Sequence, residues 1–249
     1  MKKGEEIFDL HISNRFELKP NYEMHYRNVL ISGDGYFYMT GGNCLEIDRL
    51  EVKKETYHKK YDILIQGPDG EDGMDGEEGK DAENVRATNI VIHQLADNVR
   101  IKSLGGNGGM GGKGAEGNPG GDGGDAVCKD TAGGKGAGGS QGGKGKKGGR
   151  GSDGPAVTVR YTPGNEEAEV RILSRDDEEN GRNKAYGGRG GDGGDGGDGG
   201  TGGNGGWNGD GKTRAKAGKK GDRGPQGDKG EDGEDIDIII EKIITEDMM

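Results

Sequence analysis

Residues Gly187 to Trp207 read GGR GGD GGD GGD GGT GGN GGW. Glycine fills the first two positions of seven consecutive triplets, and the third position varies. A period of three fits neither the 3.6-residue turn of an α-helix nor the two-residue alternation of a strand. It fits the polyproline-II or polyglycine-II conformation, a left-handed helix with about 3 residues per turn and about 3.1 Å rise per residue. Glycine then lines two faces of such a rod. Arg189, Asp192, Asp195, Asp198, Thr201, Asn204 and Trp207 line the third.

The same period recurs along the chain. Gly67 to Asp81 reads GPD GED GMD GEE GKD, with one glycine per triplet. Gly105 to Asp125 reads GGN GGM GGK GAE GNP GGD GGD. The stretch Ala126 to Ala132 breaks the register, and a third run restarts at Gly133. Asn208 to Ala217 is a second break, followed by Gly218 to Asp235 (GKK GDR GPQ GDK GED GED). Strand patterns flank these runs: Asn28 to Ser32, Tyr36 to Thr40, Leu45 to Val52, Tyr61 to Gln66, Thr88 to His93, Asn98 to Ser103, Val157 to Tyr161, Glu167 to Leu173 and Ile236 to Ile240. A strand leads into a run, a break reverses the chain, and a second run leads back to a strand. That pattern gives two long hairpins, from Asn98 to Tyr161 and from Glu167 to Ile240. A third, shorter hairpin falls between Tyr61 and His93, with its reversal inside the acidic run. A run of 21 residues spans roughly 65 Å.

Glycine rods make no internal hydrogen bonds, so a buried amide must find its partner on a neighbouring rod. Ordering glycine costs about 1–2 kcal/mol of backbone freedom per residue, so only a cooperative bundle is stable. Runs with two glycines per triplet belong inside it, and 67–81 and 218–235 belong at its periphery. The charged third positions are expected to be solvated stripes. The Asp192, Asp195 and Asp198 line has a basic counterpart in Lys144, Lys147 and Arg150. The composition agrees with a backbone interior: of 249 residues 58 are glycine and 6 proline, and the hydrophobic class is 27%. The aromatic-rich residues 1–66 are expected to hold the one side-chain core.

The net charge of −11 argues against general nucleic-acid binding. Cys44 and Cys128 suggest two free thiols, and the four histidines lack ligand spacing. No metal site, cofactor site or catalytic constellation is expected. GGDGGDGGD lacks the nine-residue period of a glycine-Asp calcium repeat. Gly206 to Thr213 (GWNGDGKT) spells the P-loop pattern without a preceding buried strand or a following helix, so a nucleotide site is not expected. The N-terminus carries no signal-peptide pattern and no segment is apolar enough to insert in a membrane, which suggests synthesis in the cytoplasm. The two breaks are the candidate recognition loops: Cys128, Lys129, Asp130 and Thr131 in one, Trp207, Asn208, Asp210, Lys212, Arg214 and Lys216 at the other. An aromatic beside cations suits an anionic or carbohydrate surface. The alternative is that these are plain connectors and Trp207 caps the bundle.

The runs GGNGGMGG, GNPGGDGGDAV and GGRGGDGGDGG resemble those of phage tail-fibre tip adhesins, in which stacked polyglycine-II rods display receptor-binding loops. The strand–rod–loop–rod–strand order is also similar to the glycine-rich N-terminal domain of Obg GTPases, although no GTPase domain follows. The triplets resemble small glycine-rich antifreeze proteins too, but their third positions carry Asp, Lys and Arg where an ice-binding face wants flat rows of small residues.

The resulting expectation is a mostly irregular and β protein with essentially no α-helix. It has a β-rich base at 1–66, a bundle of about five to six polyglycine-II helices with interleaved strands at 67–240, and a charged tail at 241–249. The expected function is non-enzymatic recognition of a cell-surface receptor or other macromolecule, in the virion or a released particle if it is an adhesin. The alternatives are an intracellular assembly factor of Obg-like shape or a collagen-like structural protein. Residues 1–66 are the candidate oligomer contact.

Overall fold

The computed structural model describes residues 2–3, 7–53, 61–128, 131–176 and 183–244. Its strands, in chain order, are β1 (Lys2–Lys3), β2 (Ile7–Ile12), β3 (Arg15–Leu18), β4 (Tyr22–Ser32), β5 (Tyr36–Met39), β6 (Cys44–Lys53), β7 (Ile63–Gln66), β8 (Thr88–Leu95), β9 (Val99–Leu104), β10 (Val157–Pro163), β11 (Val170–Ile172), β12 (Lys184–Ala185), β13 (Ile236–Asp237) and β14 (Ile239–Lys242). No helix occurs among the described residues, and so no helix there is long and apolar enough to cross a membrane.

From β2 to β11 successive strands alternate between two sheets. One sheet runs β1-β4-β6-β8-β10-β14, with β2 also on β4, and the other runs β11-β9-β7-β5-β3. Every pairing within them is parallel. Consecutive strands therefore never pair as hairpins. The chain winds as a two-faced β-solenoid, each coil laying one strand on each sheet. The Gly33-Asp34-Gly35 and Gly41-Gly42-Asn43 turns are corners between sheets.

Parallel register stacks like on like. Met24, Leu45, Ile90, Val159 and Ile240 oppose one another in turn, as do Phe37, Ile63 and Ile101 on the other sheet. Phe16, Tyr26 and Phe37 form an edge-to-face and tilted aromatic group. The core cluster extends through Ile90, Ile92, Leu95, Val99, Ile101, Val157, Val159, Tyr161, Ile172 and Ile238. This corrects the expectation of a core confined to 1–66. The later strands alternate apolar and polar residues over too few positions to look like a core alone, but each adds one rung to the same interior. Asp62, fully buried, accepts from the Arg100 amide at 2.8 Å and from its guanidinium at 3.3 Å.

Hairpins I and II leave after a strand of the second sheet and return into one of the first, whereas hairpin III leaves from β12 and returns through β13, a separate antiparallel pair, before β14 joins the first sheet. Hairpin I has an outgoing arm at 67–73 and a return at 78–87, reversing where the Glu77 amide bonds the Met74 carbonyl and Gly76 sits at φ +84°. Hairpin II comprises arms 105–125 and 133–154, and hairpin III comprises 187–207 and 215–235. Apart from the Trp207–Arg214 bridge at the far end, no arm has helix or strand pairing; each is held by bonds to its neighbours. Outgoing arms stack in parallel: Gly67, Gly70 and Gly73 donate to Leu104, Asn107 and Met110, and Gly108, Gly111, Gly114 and Gly117 donate to Arg189, Asp192, Asp195 and Asp198. Return arms do likewise, with Gly136, Gly139 and Gly142 donating to Lys216, Lys219 and Asp222. Across the columns the arms run antiparallel: Gly191, Gly194 and Gly197 donate to Gly149, Lys146 and Gly143. Bonds recur at every third residue, so the parallel order of the sheets continues into the arms.

Glycine tracks this packing. A Cβ on Gly106, Gly109 or Gly112 would lie 1.7–1.9 Å from a carbonyl oxygen of hairpin I. Hairpin I is short, and just beyond its end the same positions become Ala115 and Asn118. The arm at 187–207 has its first two triplet positions largely buried and its third exposed, except for the bend at its end. Arms 67–73 and 218–235 are peripheral, as their single glycine per triplet implies.

The charged stripes differ from expectation. Many third-position Asp and Asn side chains act as acceptors for the third-position amide of the adjacent arm. Asp69 takes the Asn107 amide at 2.6 Å, Asn107 the Arg189 amide at 3.0 Å, Asp72 the Met110 amide at 2.7 Å, and Asp122 the Asn204 amide at 2.6 Å. On the return side Asn84 takes the Asp153 amide and Asp153 takes that of Glu234. The Glu234 bond is the main cause that holds the Asp153 carboxyl below its ordinary range. Nor does the Asp192–Asp198 line meet Lys144, Lys147 and Arg150. Asp198 pairs with Lys113, Asp195 with Arg223, and Lys144 with Asp228. The arm at 187–207 meets 133–154 through glycine, so the two charged faces point away from each other.

Two outcomes test the fold. Gly196→Ala sets a Cβ 1.9 Å from the Gly224 oxygen and should cost about 1–3 kcal/mol or more. Gly121→Ala, with nothing within 4 Å, should be neutral or gain about 0.4–1 kcal/mol. Denaturant unfolding of both variants checks this, and equal losses would refute the packing. Separately, the Tyr26 hydroxyl is buried without a partner and burial pushes it up to about 12. Folding thus favours its neutral form, so its contribution is full below about pH 10 and is lost as pH rises toward 12. Tyr26→Phe should leave neutral-pH stability unchanged or higher and flatten the alkaline loss of Tm.

Candidate recognition tip

The two reversals of hairpins II and III meet at the end of the bundle remote from the sheets. Hydrogen bonds join them directly. The Ala126 amide donates to the Trp207 carbonyl at 2.8 Å, the Gly209 amide to the Thr131 carbonyl at 2.9 Å, and the Gly133 amide to Asn208 Oδ1 at 2.8 Å. Cys128, Thr131, Trp207 and Asn208, far apart in sequence, therefore share one surface. Lys129 and Asp130 lie outside the described residues, as do residues 245–249 of the expected tail.

Each loop is built by short polar side chains that bond the local backbone. In the first, Thr131 Oγ1 donates to the Cys128 carbonyl at 2.7 Å. Cys128 is a free, exposed thiol, and Val127 beside it is 98% exposed. In the second, Asp210 accepts the Lys212 amide at 2.8 Å and the Thr213 amide at 3.1 Å. Those bonds, Lys212 first, hold the Asp210 carboxyl below its ordinary range. Asn208 bonds Thr213 Oγ1 at 2.7 Å through its side chain and the Thr213 carbonyl at 2.8 Å through its amide. Gly211 makes the turn at φ +64°.

This geometry disposes of the P-loop pattern. No helix starts after Thr213, and the amides that would cradle phosphate are turned onto Asp210. Among the described residues no group of three or more His, Cys, Asp or Glu is placed to hold a metal ion. Cys44 lies away from the tip on β6, where burial, then Glu23 and Glu46, push its thiol up, the opposite of an activated nucleophile.

Trp207 closes the third-position row of its arm. Its amide donates to Asp125 Oδ1 at 2.7 Å, and its backbone bridges antiparallel to Arg214. The Arg214 guanidinium lies 4.3 Å from the ring centroid, and the residue remains 40% exposed. The ring thus offers solvent one end of an aromatic–cation stack. Lys212 and Lys216 are exposed beside it. Sequence reasoning overlooks Asp125, which fixes Trp207, and Lys135, whose arm meets Lys216 through the Gly136 amide at 3.0 Å. Both are third-position residues, but only the arm-to-arm register reveals their neighbours.

Asp125→Ala removes one acceptor from the Trp207 amide. We expect a stability change of no more than about 1 kcal/mol but a red-shifted, more readily quenched Trp207 emission, this being the single tryptophan. Unchanged emission and quenching would show that Asp125 does not hold the ring.

No protein-family model matches the chain, and no curated protein matches it. Among solved structures, the nine polyproline type II helical bundle springtail antifreeze protein from Granisotoma rainieri is similar at 27% identity, covering 64% of this chain and 94% of that one, with a TM-score of 0.14. At that TM-score the two folds do not superpose, and the likeness bears on neither fold nor function.

Proposed function

We propose that this chain is a non-enzymatic recognition protein: a β-solenoid base carrying a stiff bundle whose far end binds a macromolecular partner. The arms are read as six polyglycine-II helices. Their three-residue repeat and the hydrogen bonds to adjacent arms at every third residue support that reading. The observation that carries the functional reading is the meeting of two loops from separate hairpins at one exposed end, tied by the Gly209–Thr131 and Gly133–Asn208 bonds. Loops set on a rigid scaffold are where binding concentrates. A cell-surface receptor is the most concrete partner, as for an adhesin.

The test uses the full chain and equal-length glycine-serine replacements of 126–132 and 209–213, leaving Trp207 and Asn208 in place. Circular dichroism and melting should be near those of the wild type, while sedimentation with intact bacterial cell envelopes should fall at least ten-fold. Equal sedimentation of both proteins, or association with ribosomes in place of envelopes, would overturn the assignment.

A further inference from the structure

The tip has a chemically distinct side. Lys135 occupies a third position on the return arm of hairpin II, and Lys216 and Lys219 follow one another on the return arm of hairpin III. The Gly136 amide meets the Lys216 carbonyl at 3.0 Å and the Gly139 amide meets that of Lys219 at 2.9 Å, so Lys216 sits beside Lys135 across adjacent arms and Lys219 follows one triplet further. Lys216 and Lys219 repeat at about 9 Å along the arm. Lys212 and Arg214 lie in the adjoining loop, Arg214 over the Trp207 ring. All five are exposed, and none forms an ion pair among the described residues. Cations elsewhere on the bundle are paired: Lys113 with Asp198, Arg223 with Asp195 and, three triplets farther from the tip in the same rows, Lys144 with Asp228. The nearest carboxylate in the loop, Asp210, is occupied by two backbone amides, and Asp222, one triplet beyond Lys219, is the first acid along the arm.

A compact basic row with no ion pair among the described residues stands out on a chain of net charge −11. We infer that this side of the tip binds an anionic polysaccharide, a sugar chain bearing sulfate or phosphate esters. The inference rests on the tip being the recognition end and names its ligand class. Ester groups spaced along an extended sugar chain meet the lysines in turn, each contact a charge-assisted hydrogen bond, with the Trp207–Arg214 stack at the same end of the bundle. Nucleic acid fits less well. Its bases find one aromatic ring at the tip, already stacked by Arg214.

The experiment measures retention of the purified full chain on immobilised sulfated polysaccharide, phosphorylated mannan, neutral dextran and duplex DNA, at increasing salt. The wild type should be retained on one or both charged polysaccharides and not on dextran; which resin retains it identifies the ester. The variant K135Q/K216Q/K219Q should bind at least ten-fold more weakly with a shallower salt dependence. The variant K53Q/K80Q/K229Q, which removes the same charge elsewhere, should behave as the wild type. Melting curves verify that both variants fold. Failure of the wild type to bind either charged polysaccharide, equal loss in the two variants, or tighter binding to DNA would overturn the inference. Envelope binding that is abolished by loop replacement yet unchanged in K135Q/K216Q/K219Q would overturn the polysaccharide alone and leave the tip as the recognition end.

Discussion

The constraint on which the structure depends is the unpaired amide. A glycine arm with a three-residue repeat bonds nothing within itself, so each donor must find an acceptor on another arm. Two kinds of acceptor meet this need. Backbone carbonyls of adjacent arms take the glycine amides, as in Gly194 to Lys146 and Gly111 to Asp192. Third-position amides, which face outward, are met by Asp or Asn side chains of the next arm, as in Asp122 to Asn204 and Asp125 to Trp207. A carboxylate that looks solvated from one arm is thus a structural acceptor for the next. Where no further arm follows in the outgoing column, the stripe Asp195 and Asp198 turns to ion pairs with Arg223 and Lys113 instead.

The sheets supply what the arms lack, a fixed register. Leu104 and Tyr186 bridge in parallel at the point where β9 gives way to an arm, and β8, β10 and, by way of β13, β14 follow the returning arms in parallel order. The apolar ladders Leu45–Ile90–Val159 and Phe37–Ile63–Ile101 fix the heights of successive coils. The arms then continue at those heights, and the side-chain core and the backbone-only bundle form one hydrogen-bonded body.

Much of this is legible in the sequence, and the gaps have physical causes. The glycine period locates the four arms of the two long hairpins, both long reversals and the outgoing arm of hairpin I, because close approach of backbones favours glycine at most contact positions; the return arm at 82–87, which holds no glycine, is not visible that way. The strand segments are visible as alternating apolar runs. Their pairing is not, since short strands with turn residues between them look alike whether they form hairpins or solenoid corners; only the partner across the sheet decides. The extent of the core is hidden for the same reason: Val159 and Ile101 are ordinary strand residues until they stack on Ile90 and Ile63. At the tip, loop position alone singles out Trp207, Asn208 and Thr131. It does not reveal the acceptor Asp125 or the cation Lys135, because their role depends on a neighbour some 80 residues away.

The placing of all three hairpins between strands has a consequence for how such a chain changes over time. Each coil of the solenoid is a slot, and an arm grows from it in steps of one triplet. Adding a triplet to both arms of every long hairpin lengthens the stalk without touching a sheet contact. Lengthening a single hairpin instead leaves its new amides without acceptors. The short hairpin I marks the tolerated case, an outermost layer that ends early because no arm relies on it for its own bonds beyond Gly112. Reach and tip chemistry can therefore drift separately, the first by insertions of triplets and the second by substitutions at loop positions other than those, such as Asn208, whose side chains hold an arm.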